Sequence, residues 1–247
     1  SKSYGADMSD LILSEDHGAV RLLTMARHDK MNAFNGRLSA ALIEALGRAS
    51  DDASVAAVVM TGGPRAFSAG ADMKEAMSHG DRTQRQAIAA GAHGTALYDA
   101  VVGVNKPLIA AVNGYALGAG CAVAISADMV IAGQGAVFGY PEVKRGLAAT
   151  AVTPTLVAQI GRKAASELLL LCENIPAERA EMLGLANRVV ADDMVVSSAL
   201  EIAATMAAFD HDALWMTKRM IRRTADLPLD QAHHMVRDNM LVMRGFS

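Results

Sequence analysis

The chain has few of the residues that mark several common kinds of protein. Among its 247 residues there are two cysteines and six prolines, and aromatic side chains make up 4%. The cysteines, Cys121 and Cys172, lie far apart in apolar segments and form neither a CxxC pair nor a Cys/His ligand pattern. We therefore expect two buried free thiols in a reducing compartment. Because no signal-peptide pattern is visible in the sequence, the expected location is the cytoplasm.

A strong charge of either sign is also missing. The formal net charge is −3, so the chain carries no polybasic footprint and nucleic acid is not an expected partner. Residues 107–127 are uncharged and long enough to span a bilayer. However, Asn113 and Gly114 interrupt this run and no basic flanks accompany it. We interpret it as a buried strand, a turn and a buried helix, and no membrane contact is expected.

Short apolar segments and helical patterns are plentiful. Strands buried on both faces are predicted at residues 55–60, 108–112 and 129–132, where apolar residues run without alternation. Asn35 is placed to cap a helix over residues 38–46. Strands that alternate with helices indicate an α/β fold with crossover connections.

The two ends of the chain differ in character. Residues 20–25 are predicted to form a strand that pairs with residues 11–13, whereas the pattern after Thr150 is mostly helical. We expect an α/β core over residues 1–190 and a helical region over residues 191–247, whose apolar stripes need a partner surface.

Several familiar catalytic templates are incomplete. Gly118-x-Gly120 has Val123 where a dinucleotide-binding loop needs its third glycine, and no phosphate-binding GxxxxGK[ST] motif occurs. Ser68 lacks the first glycine of a nucleophile elbow. No HExxH motif is present, and adjacent histidines at 233–234 point about 100° apart on a helix. A metal site is therefore not expected.

Two turns rich in glycine and alanine, residues 67–72 and 113–120, are the most informative feature. Each follows an apolar run and leads toward a helix, and small residues let a ligand approach backbone N–H groups closely. Two such groups aimed at one oxygen would stabilise an enolate-like charge. The alternative is that glycine occurs in these strand-to-helix turns only because the turn needs its backbone conformation.

Glu142 is the candidate proton carrier downstream of the two turns. It follows Tyr140-Pro141, and its apolar neighbours, including Phe138, predict a raised pKa that suits acid/base work. The alternative is that Glu142 is a surface turn residue.

These features together resemble the crotonase superfamily, the enoyl-CoA hydratase/isomerase family, from about Leu11 to Arg244. The motifs that carry the resemblance are Lys30–Ala33, Thr61–Lys74, Lys106–Asp128, Phe138–Gly146 and Ala180–Val190. The resemblance implies an α/β fold, the crotonase (ClpP-like) spiral of ββα turns, with a C-terminal helical region that supports a homotrimer or a hexamer made of two trimers. It also implies an acyl-CoA thioester as substrate, with no cofactor beyond the coenzyme A of the substrate.

The resemblance implies roles for particular residues. The N–H groups of Ala71 and Ala119 would hold the thioester oxygen, and Glu142 matches one of two family glutamates. Ala122 replaces the second glutamate, and Ala119 stands where glycine is usual. The residues expected to contact coenzyme A or the substrate are Lys30, Met31, Ala69, Gly70, Asp72, Lys74 and Gly118.

The expected activity is hydration of 2-enoyl-CoA or double-bond isomerisation in fatty acid metabolism, with Glu142 as the single acid/base. A non-catalytic acyl-CoA-binding member remains open, as does another reaction of the superfamily such as thioester hydrolysis or decarboxylation.

Residues 79–98 match the variable region that shapes the acyl pocket and are expected to be helical. Thr150 either lies near the acyl end or caps a helix. Because the family's final helix extends past the position of Ser247, we expect either that this helix is disordered or absent here or that coenzyme A is bound less firmly.

Overall fold

Strands alternate with helices along most of the chain in a computed structural model, which describes residues 10–77 and 95–244. The strands are β1 (Ile12–His17), β2 (Val20–Met25), β3 (Ala57–Thr61), β4 (Ala66–Ser68), β5 (Leu108–Val112), β6 (Tyr115–Leu117), β7 (Met129–Gly133), β8 (Val137–Gly139), β9 (Ile175–Pro176) and β10 (Arg188–Val190). The helices are α1 (Gly36–Asp51), α2 (Met73–Met77), α3 (95–103), α4 (Ala119–Ile125), α5 (Thr153–Leu171), α6 (Ala177–Met182), α7 (Val195–Ala207), α8 (His211–Thr224) and α9 (Leu229–Arg244).

The larger sheet has the strand order β1-β2-β3-β5-β7-β10, and all of its pairs are parallel except the β1–β2 hairpin. Successive side chains of a strand point to opposite faces. Val58 and Met60 of β3 therefore pack in the core that contains α1, while Ala57 and Val59 pack in the core that contains α7. Burial on both faces explains why these strands are apolar without alternation.

The smaller sheet has the order β4-β6-β8-β9, and its first three strands are parallel. The chain places β3, β5 and β7 in the larger sheet and β4, β6 and β8 in the smaller sheet, and a helical segment follows each such pair. This repeated strand–strand–helix path is the ββα spiral that the sequence resemblance implied.

Several local predictions can be compared with the structure. The strands predicted at residues 20–25 and 108–112 have those bounds, and the Asn35 side chain accepts a hydrogen bond from the N–H of Leu38 at 2.9 Å. The helix-cap interpretation of Thr150 is wrong. The helix α5 begins at Thr153, its capping position is Val152, and no side chain caps it. Of the helix predicted over residues 79–98, residues 79–94 lie outside the described ranges.

The helical region after the last strand contacts the core in two ways. One face of α7 buries Val195, Ala199 and Ala203 against the larger sheet. In contrast, α8 is joined through Asp128, whose carboxylate pairs with Lys218 at 2.5 Å and with Arg222 at 2.9 Å. Burial lowers the pKa of Lys218 to about 8, although the Asp128 charge opposes the shift. The prediction of separate segments at residues 1–190 and 191–247 stays a prediction.

Two further findings concern the described ranges. Both cysteines are free and buried, as their apolar surroundings predicted. Nowhere in residues 10–77 and 95–244 is a helix both long enough and apolar enough to cross a bilayer.

Candidate active site

The two glycine turns meet at a cavity of about 170 Å³. This cavity is called the central cavity below. Seven residues that were singled out in the sequence line it, namely Ala69, Gly70, Ala71, Gly118, Ala119, Glu142 and Thr150. The rest of its wall is formed by Met73, Tyr98, Pro141, Arg145 and residues 147–149 and 151–152. Most of these side chains are small or apolar, so the cavity suits an aliphatic chain with a few polar groups along it.

The first turn is fixed by a short parallel bridge. The N–H of Phe34 donates to the Gly70 carbonyl at 2.7 Å, and the N–H of Asp72 donates to the Phe34 carbonyl at 2.8 Å. Because these neighbours of Ala71 make the bridge, the N–H of Ala71 itself points away from Phe34. Ala71 lines the central cavity, which leaves its N–H available to a bound group.

The first turn touches the second turn through Gly70. Gly70 has φ +94°, and a Cβ built on it would lie 2.7 Å from the Leu117 carbonyl oxygen and 3.5 Å from the Ala119 nitrogen. A side chain at residue 70 would therefore separate the two turns. The absence of a side chain brings the backbone beside Ala71 close to the amide of Ala119.

The second turn leads directly into α4. Gly118 has φ 51° and ψ −121°, and its N–H donates to the Gly139 carbonyl at 2.7 Å. Ala119 is the first residue of α4, so its N–H has no acceptor within the helix. Ala71 and Ala119 therefore both lie on the wall of one cavity, and the N–H of each lies outside the backbone bonding of its own element.

Glu142 lies against the second turn. A Cβ built on Gly118 would be 2.8 Å from Glu142 Oε1, so the carboxyl group occupies the space that a side chain would take. Its other oxygen, Oε2, is buried and has no hydrogen-bond partner among the described residues. Burial raises the pKa of Glu142, while its own backbone N–H and the Arg145 charge oppose the shift. The direction agrees with the sequence-based expectation.

Two tyrosines and one cysteine near Glu142 stay neutral at pH 7. Burial raises the pKa of Tyr98 to about 12, and the Glu142 charge adds to the shift. Burial likewise raises the pKa of Cys121 to about 12 and that of Tyr140 well above its usual value. Of the described residues that line the central cavity, Glu142 is the one carboxylic acid. Among these residues it alone can exchange a proton readily near neutral pH.

Four residues expected at the binding site do not line the central cavity. Lys30 and Lys74 are exposed, and Lys30 Nζ lies 3.8 Å from Asp29. The Met31 carbonyl accepts a hydrogen bond from the N–H of Ala69 at 2.9 Å. The binding roles predicted for Lys30, Met31 and Lys74 stay predictions.

Asp72, the fourth of these residues, has partners of its own. It pairs with Arg27 at 2.7 Å, and its Oδ1 accepts the backbone N–H of Lys74 at 3.1 Å. The hydrogen bond from Arg27 lowers its pKa. These contacts hold the turn at the start of α2, and the contact with substrate predicted for Asp72 stays a prediction.

Ala122 also lies away from the central cavity wall. It is 1% exposed and packs in the core beside α1, so no water-binding side chain is present where the resemblance implied a second glutamate. The wall residues with polar side chains that were not assigned an individual role from the sequence are Tyr98 and Arg145. In the described part of the chain, no three His, Cys, Asp or Glu side chains are grouped so that they could hold a metal ion.

Comparisons with known proteins agree with this geometry. Residues 15–243 match the family model described as Enoyl-CoA hydratase/isomerase. The chain is 39% identical to the 2,3-dehydroadipyl-CoA hydratase of Escherichia coli, over 90% of this chain and 85% of that protein. It is 33% identical to the short-chain-enoyl-CoA hydratase of Clostridium acetobutylicum, over 92% and 86% of the two chains.

A solved structure of an enoyl-CoA hydratase has the same fold as this chain. An enoyl-CoA hydratase subunit from Geobacillus kaustophilus superposes with a TM-score of 0.88 at 33% identity, covering 95% of this chain and 90% of that chain. The chain therefore belongs to the enoyl-CoA hydratase/isomerase family of the crotonase superfamily, and it is an enzyme that acts on acyl-CoA.

Proposed function

We propose that the enzyme adds water to the double bond of a 2-enoyl-CoA through an enolate, with Glu142 as the single acid/base. The observation that supports this proposal is the meeting of three groups on one cavity: the amides of Ala71 and Ala119 and the carboxyl of Glu142. Paired amides stabilise the negative charge that develops on a thioester oxygen, and loss of one such donor typically costs about 3–4 kcal/mol of barrier.

The proposed reaction needs only proton transfer. The two amides polarise the thioester carbonyl, which makes C3 of the enoyl chain electrophilic. As the water oxygen bonds to C3, ionised Glu142 takes one proton from the water and the π electrons move toward the thioester oxygen. Glu142 then gives a proton to C2, so one water has been added in total. The raised pKa of Glu142 suits a group that acts first as base and then as acid.

Double-bond isomerisation is the second candidate, and the burial of Ala122 favours it. With no second carboxylate on the described wall of the central cavity, Glu142 can still move a proton between C4 and C2 of a 3-enoyl chain. The same amides would stabilise the dienolate that forms when the C2 proton is removed. Hydration is placed first because the Escherichia coli and Clostridium acetobutylicum relatives are both named as hydratases.

The substrate is proposed to bind with its acyl chain in the central cavity and its coenzyme A outside it. Lys30 and Lys74 are exposed cations that can meet the coenzyme phosphates, with Met31, Ala69, Gly70, Asp72 and Gly118 along the pantetheine side. Arg145 lies on the cavity wall and is exposed. A cation at that point could accept an acyl chain that ends in a carboxylate, such as the 2,3-dehydroadipyl-CoA named for the Escherichia coli relative.

The proposal extends to assembly and location. A homotrimer, or a hexamer made of two trimers, is proposed from the family resemblance. Exposed apolar side chains of the later helices, such as Ile221 at 65% exposure, are consistent with it. A role in fatty acid metabolism in the cytoplasm, with no metal or redox cofactor, follows from the same family resemblance and from chemistry that is limited to proton transfer.

The proposed role of Glu142 is tested by Glu142→Gln, which keeps the size of the side chain and removes its proton exchange. We expect kcat for hydration of crotonyl-CoA to fall about 10²–10⁴-fold. Titration calorimetry with butyryl-CoA should show nearly unchanged binding, because the amides and the cavity stay in place. Glu15→Gln, on the exposed side of β1, is the matched control. Retention of full turnover by Glu142→Gln would remove this residue from the mechanism.

A panel of substrates separates the two candidate reactions. The panel contains 2-enoyl-CoAs and 3-enoyl-CoAs of increasing length together with 2,3-dehydroadipyl-CoA. Hydration raises the product mass by one water, whereas isomerisation leaves the mass unchanged and shifts the ultraviolet absorbance. Turnover of 3-enoyl-CoAs alone would replace hydration by isomerisation as the function.

A further inference from the structure

We infer that Tyr98 holds the attacking water together with Glu142, as the neutral partner that takes the place of a second carboxylate. This inference rests on the proposed hydration. It assigns a role to a residue on α3, an element that contributes neither of the two amides nor the proton carrier.

The location of Tyr98 is the first support. Its side chain lines the same cavity as Ala71, Ala119 and Glu142, while its ring packs against the main core. The ring is therefore held in place, and the hydroxyl makes no hydrogen bond to another residue in the described ranges. The carboxylate of Glu142 is close enough to act on the phenol electrostatically, as the raised pKa of Tyr98 indicates.

The geometry of a nucleophilic water is the second support. To aim a lone pair at C3, a water must place its two hydrogens on two acceptors. Glu142 supplies one acceptor and receives the proton that is transferred. Ala122 cannot supply the other, because its methyl side chain has no hydrogen-bond acceptor. The phenol oxygen of Tyr98 can accept the second hydrogen while its own hydrogen turns elsewhere.

The neutral state of Tyr98 limits what it can do. Because the pKa of Tyr98 is about 12, the phenol keeps its proton at neutral pH and cannot serve as a base. The proton balance is therefore that of the proposed reaction: Glu142 takes a proton from the water and returns a proton to C2, and Tyr98 gains and loses none. Tyr98 is thus a positioning residue for the water.

Thr150 is the rival for this role. It also lines the central cavity and carries a hydroxyl group, but it belongs to the exposed segment 146–150. A hydroxyl on a half-buried ring that is packed against the core is held more firmly than one on an exposed segment, so it costs less to order around a water. Thr150→Val therefore belongs in the test as a competing variant.

The test compares two reactions that both pass through a thioester enolate at this site. Only the first of them needs the attacking water. The first is hydration of crotonyl-CoA. The second is exchange of the C2 protons of butyryl-CoA with deuterium from solvent, which requires Glu142 and the two amides but no attack on C3. For Tyr98→Phe we expect kcat of hydration to fall about 10- to 100-fold. We expect C2 exchange and butyryl-CoA affinity to stay close to those of the unaltered enzyme.

A matched control is available on β6. Tyr115→Phe removes the same hydroxyl from a residue that is 44% exposed and does not line the cavity, so both reactions should be unchanged. An equal loss of hydration and exchange in Tyr98→Phe would show that the ring shapes the site as a whole and would overturn the inference. Unchanged hydration, or a hydration-specific loss in Thr150→Val alone, would overturn it as well.

The same experiment separates failure of this inference from failure of the proposed function. If the unaltered enzyme shows C2 exchange that Glu142→Gln abolishes, the enolate chemistry stands whatever Tyr98→Phe does. If the unaltered enzyme shows neither exchange nor hydration, the proposed function falls, and the role of Tyr98 falls with it.

Discussion

Glu142 illustrates how a single side chain trades folding stability for reactivity. One of its carboxyl oxygens is buried without a donor among residues 10–77 and 95–244, and burial raises its pKa above the usual value of 4.5. A carboxyl group with a raised pKa binds its proton more tightly in the folded protein than in the unfolded chain. Its contribution to stability is full below pH 4.5 and is lost as the pH rises through the folded-state pKa. At neutral pH the ionised group therefore lowers the stability of the fold.

This sign gives a prediction at the residue scale. Glu142→Gln should unfold at a higher temperature than the unaltered protein near pH 7, because the amide carries no charge to desolvate. The difference should shrink as the pH falls toward 4.5, where the glutamate is itself protonated. Thermal unfolding followed by circular dichroism across this pH range checks it, with Glu15→Gln as the exposed control. A stability difference that does not change with pH would contradict the account.

The residues of the candidate site differ in how readily the sequence reveals them. Ala71, Ala119 and Glu142 each lie in a short contiguous motif, so their chemistry can be read from neighbours in the chain. Tyr98 belongs to α3, between the two glycine turns, and nothing in its local sequence indicates that the spiral brings it to Glu142. Arg145 lies in the same contiguous motif as Glu142, and Tyr98 lies at the end of the region that was expected to shape the acyl pocket, but neither motif assigns a role to that particular side chain.

At the scale of elements, the turn between β6 and α4 has two functions. Gly118 adopts φ 51° and ψ −121°, a conformation that is strained for any residue with a Cβ, and its Cα faces the Glu142 carboxyl group. The turn therefore places Ala119 on the cavity wall and also leaves room for the carboxyl group of Glu142, the proposed proton carrier. The effect of backbone strain can be separated from that of steric displacement by substituting two glycines that both have a positive φ, of which only Gly118 faces the carboxyl group.

For Gly118→Ala we expect a loss of kcat that its loss of unfolding free energy does not explain. The added Cβ would lie 2.8 Å from Glu142 Oε1 and should push the carboxyl group from its position, lowering kcat for hydration at least about 10-fold. Gly18→Ala, in the β1–β2 hairpin, is the control because Gly18 also has a positive φ, of 64°, but has open space around it. Both variants should lose about 1 kcal/mol or more of unfolding free energy. Equal kcat values in the two variants would refute the steric argument.

The elements themselves were predictable where burial controls the sequence. The strands β3, β5 and β7 pack on both faces, so their apolar runs are unambiguous. The strand β1 extends beyond the predicted residues 11–13. Its full length was not predicted because five of its six residues are exposed and carry no apolar pattern. The three-residue strands β4 and β6 lie beside or within the glycine turns, where turn composition masks them. The smaller sheet was therefore not visible in the sequence although the spiral was expected.

At the scale of the whole molecule, α8 buries little of its surface against the rest of the chain. Lys218 is its one buried residue, and its contacts with the core include the Asp128 ion pairs and hydrogen bonds from Lys218 and Arg222 to backbone carbonyls of residues 104–106. Ile221 on the same helix is 65% exposed, and Leu229 at the start of α9 is 72% exposed. An amphipathic helix gains most of its stability from burial of its apolar face. The proposed trimer or hexamer would provide that burial.

Assembly can be tested by placing a charge on this face. The unaltered protein should sediment as a species of at least three times the 25.8 kDa chain mass, and Ile221→Lys should shift it toward the single chain, because a lysine ammonium would have to be desolvated in a contact. Leu13→Lys, on an exposed residue of β1, is the control and should leave the mass unchanged. Sedimentation velocity over a range of concentrations measures the effect. A single-chain mass for the unaltered protein would reject the trimer, whereas an unchanged assembly in Ile221→Lys would reject this face as the contact.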